Sequence, residues 1–457
     1  MPNRFRLGLG TAGVLVIGTL WWELRPLSPV TLRGTGDSVT VASTGDSLLL
    51  KLLPSAKSDA GLEGVENLLQ SASLAITNLE ENLLDPANIP SAADAQEIRW
   101  PYGTKKTARD LRRMGFTILS LANNHAIDYG VDSVSRTAQI LDGVGLLHAG
   151  TGADLERART PVFIGPPGRR VAMIAVATSV DPESRATPTR GEILGRPGVN
   201  ALKYAPDVTV DAQTFATLKQ SPIAQAAVGK RTSELTMSGK VIKKGERTSV
   251  RIVADDQDTY EILAQIKQAR AKAEVVIVTV HSHEPSNQST APADFLRKFA
   301  HEAVDAGAGL IVAQGPHQLR GVEVYQTGII FYSLGNFIFD FSAVDPRSAD
   351  AFDAGTDLYR LALGALADSE KPPPQPIGNP AWWESVIALT RFDHGVLRSV
   401  RLQPIDLGVD LSPTQRGTPR LAGTNRSQEI VNHVSDLSRE FGTRIRIDNG
   451  IGIIDRD

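Results

Sequence analysis

Leu119-Ser120-Leu121-Ala122-Asn123-Asn124-His125-Ala126-Ile127-Asp128-Tyr129-Gly130 is the stretch whose reading decides the fold. The mainly apolar run from Phe116 to Leu121 reads as a buried parallel strand, and it stops abruptly at two amides and a histidine. In open α/β sheets, ligands collect just beyond the carboxyl ends of strands. A carboxamide oxygen can ligate a metal, and an imidazole beside it can hydrogen-bond a substrate or transfer a proton. The same residues also read as a plain turn, because Asn-Asn tolerates left-handed backbone and Asp128-Tyr129-Gly130 begins the next element. What the other strand ends carry decides between the two.

Those ends repeat the pattern. Val39 to Thr44 is a strand delivering Asp46, and Leu74 to Thr77 is a strand ending at Asn78-Leu79-Glu80. Glu274 to Val280 is the strongest strand in the chain and ends at His281-Ser282-His283-Glu284, while Leu310 to Ala313 runs to Gln314-Gly315-Pro316-His317. Helical spacing from Leu62 to Ser73, Thr107 to Met114, Ser133 to Gly145, Asp256 to Ala273 and Ala293 to Ala306 alternates with these strands. That alternation predicts a layered α/β fold. Of the 8 histidines, four (His125, His281, His283 and His317) fall at or just after predicted strand ends. One such histidine is ordinarily structural. Four, with Asp46 and Glu80 at equivalent positions, lay out a carboxylate–imidazole–amide centre for one or two metal ions.

Composition narrows the chemistry. With 0 cysteines among 457 residues, thiolate metal sites, disulfides and a cysteine nucleophile are excluded. A metal must be held by His, Asp, Glu and Asn, which suit Zn, Mn, Fe or Mg. Lys plus Arg is 48 against 51 acidic residues, so no electrostatic case for nucleic-acid binding exists. At the amino end, Arg4 and Arg6 precede an apolar run from Leu7 to Trp22. That run is short for a membrane span of about 20 residues, but its flanking arginines and paired tryptophans fit an uncleaved anchor over residues 1–25. The expected location is a single pass of the cytoplasmic membrane with the remaining chain outside.

Residues 26–37, with Pro26, Pro29, Gly34 and Gly36, read as a linker. The main domain is expected over 38–345, with a poorly patterned insertion at about 180–250 and a loop over the site at 81–103. Residues 346–457 are expected to form a C-terminal extension packing on the core.

Gly45-Asp46, Asn78-Leu79-Glu80, Ala122-Asn123-Asn124-His125, His281-Ser282-His283-Glu284, Gly315-Pro316-His317 and Tyr332-Ser333-Leu334-Gly335-Asn336-Phe337 occur in this order. Together they resemble the CapA family of capsule or poly-γ-glutamate synthesis proteins, within the calcineurin-like metallophosphoesterase superfamily. The resemblance covers roughly 38–342 and includes Arg196-Pro197-Gly198-Val199-Asn200. It implies a four-layer metallophosphoesterase-like sandwich, two mixed β-sheets flanked by helices, with a centre for one or two divalent ions (Mn, Fe or Zn) at strand ends. Carried over, it makes Asp46, Glu80, Asn124, His281 and His317 metal ligands, and His125 the acid that protonates a leaving group. Two departures stand out. The superfamily's Asp-x-His is here Asp46-Ser47-Leu48, and Gln314 replaces a histidine found in many relatives, with His283 available to compensate.

Asp128 and Glu284 are candidates to orient an imidazole, or are ordinary capping carboxylates. Arg196 and Asn200 are candidates to contact an anionic substrate. Asn336 either bonds substrate or ties its own loop. The resulting expectation is a membrane-anchored metallohydrolase in synthesis or export of capsule, poly-γ-glutamate or a related envelope polymer, working alone or within an export complex. The alternatives are a non-catalytic member of such a complex and a general metallophosphoesterase. No phosphate-binding Gly-x-x-x-x-Gly-Lys-Ser/Thr loop, His-Glu-x-x-His or Gly-x-Ser-x-Gly motif is present.

Overall fold

The computed structural model describes residues 28–49, 53–54, 59–85, 102–221, 224–226, 233–237, 240–340, 378–412 and 415–456. The expected anchor at 7–22, most of the 81–103 loop and the proline run at 371–374 lie outside them. Among the described residues, no helix is long and apolar enough to cross a membrane.

In chain order, β1 (Ser38–Leu48) leads to α1 (Ala60–Ser71), β2 (Leu74–Leu79), α2 (Lys105–Met114), β3 (Ile118–Ser120), α3 (Asp132–Gly143) and β4 (Leu147–Ala149). Next come β5 (Val162–Ile164) and β6 (Val171–Ala177) and, beyond the insertion, α4 (Asp256–Arg270), β7 (Val275–His281), α5 (Asp294–Asp305) and β8 (Leu310–Gln314). The chain closes with β9 (Val322–Tyr325), β10 (Gly328–Phe331), β11 (Asn336–Phe339), β12 (Glu384–Asp393), β13 (Val396–Asp406), α6 (Thr424–Ser438), β14 (Arg446–Asp448) and β15 (Ile451–Asp455). Local chemistry sets several ends. Asp59 caps α1 by accepting from Gly61 and Leu62 N–H, Thr104 and Thr107 form a capping box on α2, and Gly115 ends α2 at φ 110°.

Two mixed sheets result. The larger runs β14-β15-β13-β12-β1-β2-β3-β4, with β11 also paired to β1; the smaller runs β9-β10-β8-β7-β6-β5. Strand alternation sorts their side chains into layers. Val39, Val41, Leu74, Ile76 and Ile118 of the larger sheet meet Val171, Met173, Val275, Ile277, Leu310 and Val312 of the smaller one. On the other faces, Ala75 and Leu119 pack with Leu62, Leu69 and Leu111 of the α1–α2 layer, and Ile174, Val276 and Val278 pack with Ile262, Ile266 and Phe299 of α4 and α5. The architecture is therefore the four-layer sandwich, helix–sheet–sheet–helix. β6 is apolar at every position and β7 at all but Thr279 and His281, because both faces are buried.

Three segments join this frame in different ways. Residues 28–37 are tied to the main body: Arg33 donates to the carbonyls of Leu69, Ala72 and Gly115 at the ends of α1 and α2, where helix dipoles favour a cation. The insertion is better ordered than its sequence suggests. Residues 204–254 build a separate five-stranded sheet with a small core of Val210, Phe215 and Leu235, whereas 178–201 belong to the main body. The C-terminal residues do more than pack on a finished core. β12 pairs antiparallel with β1 from Ser38↔Asp393 to Ser43↔Ala388, and Ile430, Val431 and Val434 of α6 enter the layer between the sheets.

Candidate metal centre

The carboxyl ends of β1, β2, β7 and β8 converge at one edge of the sandwich. A bulge in β1 between Ser43 and Asp46 turns the Asp46 carboxylate inward, beside Asn78 in register on β2. Gly45 is required there, because a Cβ at that position would fall 1.7 Å from the Gly335 carbonyl oxygen. On the facing sheet, His281 is paired with Gln314 of β8.

Four donor atoms face one another at the centre. His281 Nε2 lies 2.8 Å from Asn124 Oδ1, 3.0 Å from His283 Nε2 and 3.5 Å from Glu80 Oε1. His283 Nε2 lies 3.4 Å from the same Asn124 oxygen and 3.9 Å from Glu80 Oε1. Beside this group, His317 Nδ1 stands 3.9 Å from Glu80 Oε2 and 4.0 Å from Asp46 Oδ2. Glu80 belongs to both sets, Glu80–His281–His283 and Asp46–Glu80–His317, which are the groups that could hold a metal ion.

Glu80 is the informative residue. It is fully buried, and neither carboxylate oxygen has a hydrogen-bond partner. Burial, then the Asp46 and Asp128 charges, push its pKa well above the ordinary carboxylate value. An orphaned buried carboxylate among convergent imidazole and amide donors fits a divalent cation, which would supply the missing countercharge. Burial, followed by the neighbouring His281 and His317, holds His283 well below the ordinary imidazole value and so keeps it neutral, as a ligand must be. Asp46 stays ionised. Burial opposes this and is the largest effect, but hydrogen bonding and charge at His281, with His317 and Asn78, lower its pKa overall.

At the rim, His125 Nδ1 is 2.7 Å from Asp128 Oδ2. Burial raises the Asp128 pKa even though the His125 hydrogen bond opposes that shift. Asn123 ties the opening strand end together: its amide donates to the Leu79 carbonyl at 2.7 Å and its oxygen accepts from His125 N–H at 3.0 Å.

The structure brings Asp46, Glu80, Asn124, His125, Asp128, His281, His283 and His317 to one place. It gives other work to the remaining candidates. Asn200 is fully buried, donating to the Ala175 carbonyl and accepting from Arg159, so its amide is consumed inside the protein. Arg196 donates to the carbonyls of Pro182 and Arg185 and thereby clamps its own loop. Asn336 is buried with its nitrogen on the carbonyls of His317 (3.2 Å) and Trp382 (2.9 Å), so it ties its own loop to both. Glu284 touches no imidazole. It accepts from Thr178, Ser179 and Ser282 hydroxyls, and Ser179 in turn accepts from the His283 backbone N–H.

Three supporting residues were not singled out from sequence. Asn287 Oδ1 lies 2.7 Å from His283 Nδ1, which leaves Nε2 to face the centre. Gln318 donates to the carbonyls of Asn287 and Ser289, and Arg320 to those of Glu284, Ser286 and Ser289, so both pin the loop carrying Asn287.

Over residues 34–341 the chain matches the family described as bacterial capsule synthesis protein PGA_cap. It is 33% identical over 442 residues to the uncharacterized protein y4sH of Sinorhizobium fredii (strain NBRC 101917 / NGR234), covering 92% of this chain and 93% of that one. It is 26% identical over 346 residues to the capsule biosynthesis protein CapA of Bacillus anthracis, covering 74% of this chain and 69% of that one. To the PGA biosynthesis protein CapA of Bacillus subtilis (strain 168) it is 24% identical over 323 residues, 70% of this chain and 68% of that one.

Proposed function

The chain belongs to the bacterial capsule synthesis protein PGA_cap family, and from that membership we propose that it is a metal-dependent hydrolase acting in the synthesis or export of an anionic envelope polymer. Two relatives are named for capsule and PGA biosynthesis, and a carboxylate-bearing polymer of that kind is the proposed substrate class. The observation that carries the hydrolase reading is Glu80, an orphaned, fully buried carboxylate facing two imidazoles and an amide oxygen.

A bound Mn, Fe or Zn ion would supply Lewis acidity and bring the pKa of water toward ~7. Glu80, Asn124, His281 and His283 would hold it. Asp128 Oδ2 accepts a hydrogen bond from His125 Nδ1, so Nε2 is the nitrogen assigned to give a proton to the leaving group of a scissile phosphoester or amide bond. The sites for the cation and for the acid share one short segment, Asn124–His125, so substrate held at the first is within reach of the second. The apolar run from Leu7 to Trp22, flanked by arginines, supports a membrane anchor with the sandwich on the outer side.

The test is turnover of the full-length protein in detergent, with Mn added, on an aryl phosphoester and on poly-γ-glutamate. Wild type should hydrolyse at least one of them. His125→Ala should lose about 10²–10⁴-fold in kcat, the usual contribution of a positioned acid. Equal, negligible turnover by both proteins would replace this reading with the non-catalytic member of a polymer complex.

A further inference from the structure

We infer that this chain builds one complete cation position, formed by Glu80, Asn124, His281 and His283, and leaves the neighbouring position at Asp46, Glu80 and His317 unable to hold a second ion tightly. The inference rests on the metal-centre reading above and asks how many ions that centre takes.

The difference lies in what each donor atom already faces. In the first group, His281 Nε2, His283 Nε2, Asn124 Oδ1 and Glu80 Oε1 face one another at 2.8–3.9 Å, while the opposite nitrogen of His281, Nδ1, lies 3.1 Å from Asn78 Nδ2. Mutual separations of this size are those of ligands gathered about ~2.1 Å from a shared ion. His283 is set for the task by Asn287, whose Oδ1 accepts a hydrogen bond from the opposite ring nitrogen, Nδ1.

In the second group every donor except Glu80 already has another partner. Asp46 Oδ1 accepts from Asn78 Nδ2 at 2.8 Å, and its Oδ2 accepts from Gly315 N–H at 2.9 Å. The His317 nitrogen nearest the carboxylates, Nδ1, lies 2.9 Å from Asn336 Oδ1. The orientation of that amide is not free. Its nitrogen donates to the carbonyls of His317 and Trp382, two acceptors that need a donor, so the oxygen must face the ring. With the amide so placed, His317 Nδ1 is held as the donor to Asn336 Oδ1, and turning it to an ion would break that hydrogen bond.

The lock is reinforced from outside the family match. Trp382, from the segment beyond residue 341, packs its ring 4.9 Å from the His317 ring, and His317 itself sits at φ 59°, a backbone region costly for a non-glycine residue. Rotating the imidazole to free Nδ1 would have to displace both Asn336 and Trp382. The residue two beyond Asp46 supplies no imidazole here: it is Leu48, buried among apolar side chains on the helix side of its sheet.

The experiment is metal stoichiometry of the full-length protein, stripped with chelator, reloaded with excess Mn, desalted and measured by elemental analysis, beside calorimetric titration. Wild type should retain one equivalent. His317→Ala should retain the same equivalent with unchanged affinity, whereas His283→Ala should retain none, with far-ultraviolet dichroism confirming that both are folded. Two equivalents retained by wild type, or loss of the metal in His317→Ala with retention in His283→Ala, would overturn the inference while leaving the metal-centre reading standing. No metal retained by wild type would overturn that reading itself.

Discussion

At the scale of single residues, the centre is built at the expense of stability. Glu80 is buried without a hydrogen bond and has its pKa raised by burial, Asp46 and Asp128. The sign of its contribution follows. A carboxyl with a raised folded pKa is fully tolerated below its unfolded value, near about 4.3, and stability is lost as pH climbs from there toward the folded pKa. Replacing it with a neutral isostere removes that loss. In chelator, Glu80→Gln should therefore melt above wild type, by a margin that widens between about pH 5 and pH 8 and reaches about 1–3 kcal/mol. Adding Mn should reverse the ranking, stabilising wild type and leaving the variant unmoved. A variant less stable than wild type at every pH without metal would show that Glu80 has a protein partner after all. Glu80 was legible as a strand-end carboxylate because chemistry at strand ends leaves polar residues where an apolar run stops. Arg196 and Asn200 were harder to read: both donate to backbone carbonyls of the protein, such carbonyls need donors, and a guanidinium or amide satisfying them looks the same in sequence as one awaiting a substrate.

At the scale of elements, the strands around the centre were readable because β6, β7 and β8 are buried on both faces and so are apolar but for Thr279 and the polar ends at His281 and Gln314. The loops that aim those ligands were not. The residues after His283 run through Glu284, Ser286, Asn287 and Ser289, polar types that any surface loop would show, yet Arg320 crosses beneath them with 1% exposure and three carbonyls on its guanidinium. Burial lowers the Arg320 pKa to about 10, with Glu284 opposing the shift, so it remains a cation at neutral pH. Arg320→Ala should leave the Glu284 carbonyl without its donor, while Gln318 still serves the Ser289 carbonyl and the Ser289 N–H still serves that of Ser286, and should cost about 1–3 kcal/mol in chemical denaturation. Because Asn287 rides on the same loop, Mn affinity should fall about 10–100-fold, the usual result of losing support behind a ligand. Arg320→Lys, which keeps the charge but offers a single point of donation, should restore part of the stability and little of the affinity. Unchanged calorimetric affinity in the alanine variant would detach the loop from the centre.

At the scale of the whole molecule, the family match and the folding unit do not coincide. The match ends at residue 341, but the larger sheet does not. β12 lies against β1 along Ser38 to Ser43, β13 lies against β12, and α6 inserts Ile430, Val431 and Val434 between the two sheets. The sequence reading made residues 346–457 an extension packing on the core, and nothing in a local pattern says which sheet a late strand joins, since that is fixed by pairing across hundreds of residues. A chain cut to residues 28–341 would expose the β1 edge together with the inner faces of Val39 and Val41. An unpaired, apolar central strand is a template for association, and the same cut removes Trp382 from against His317. The truncated protein should therefore accumulate as aggregate or as a species that binds hydrophobic dye and melts without a cooperative transition, while residues 28–457 give one sharp transition. Retention of a cooperative melt by the truncated chain, with its Mn equivalent intact, would show that the segment after residue 341 is an accessory layer. The two-sheet pairing predicts otherwise, because β1 carries Asp46 at one end and is held along its length by β12.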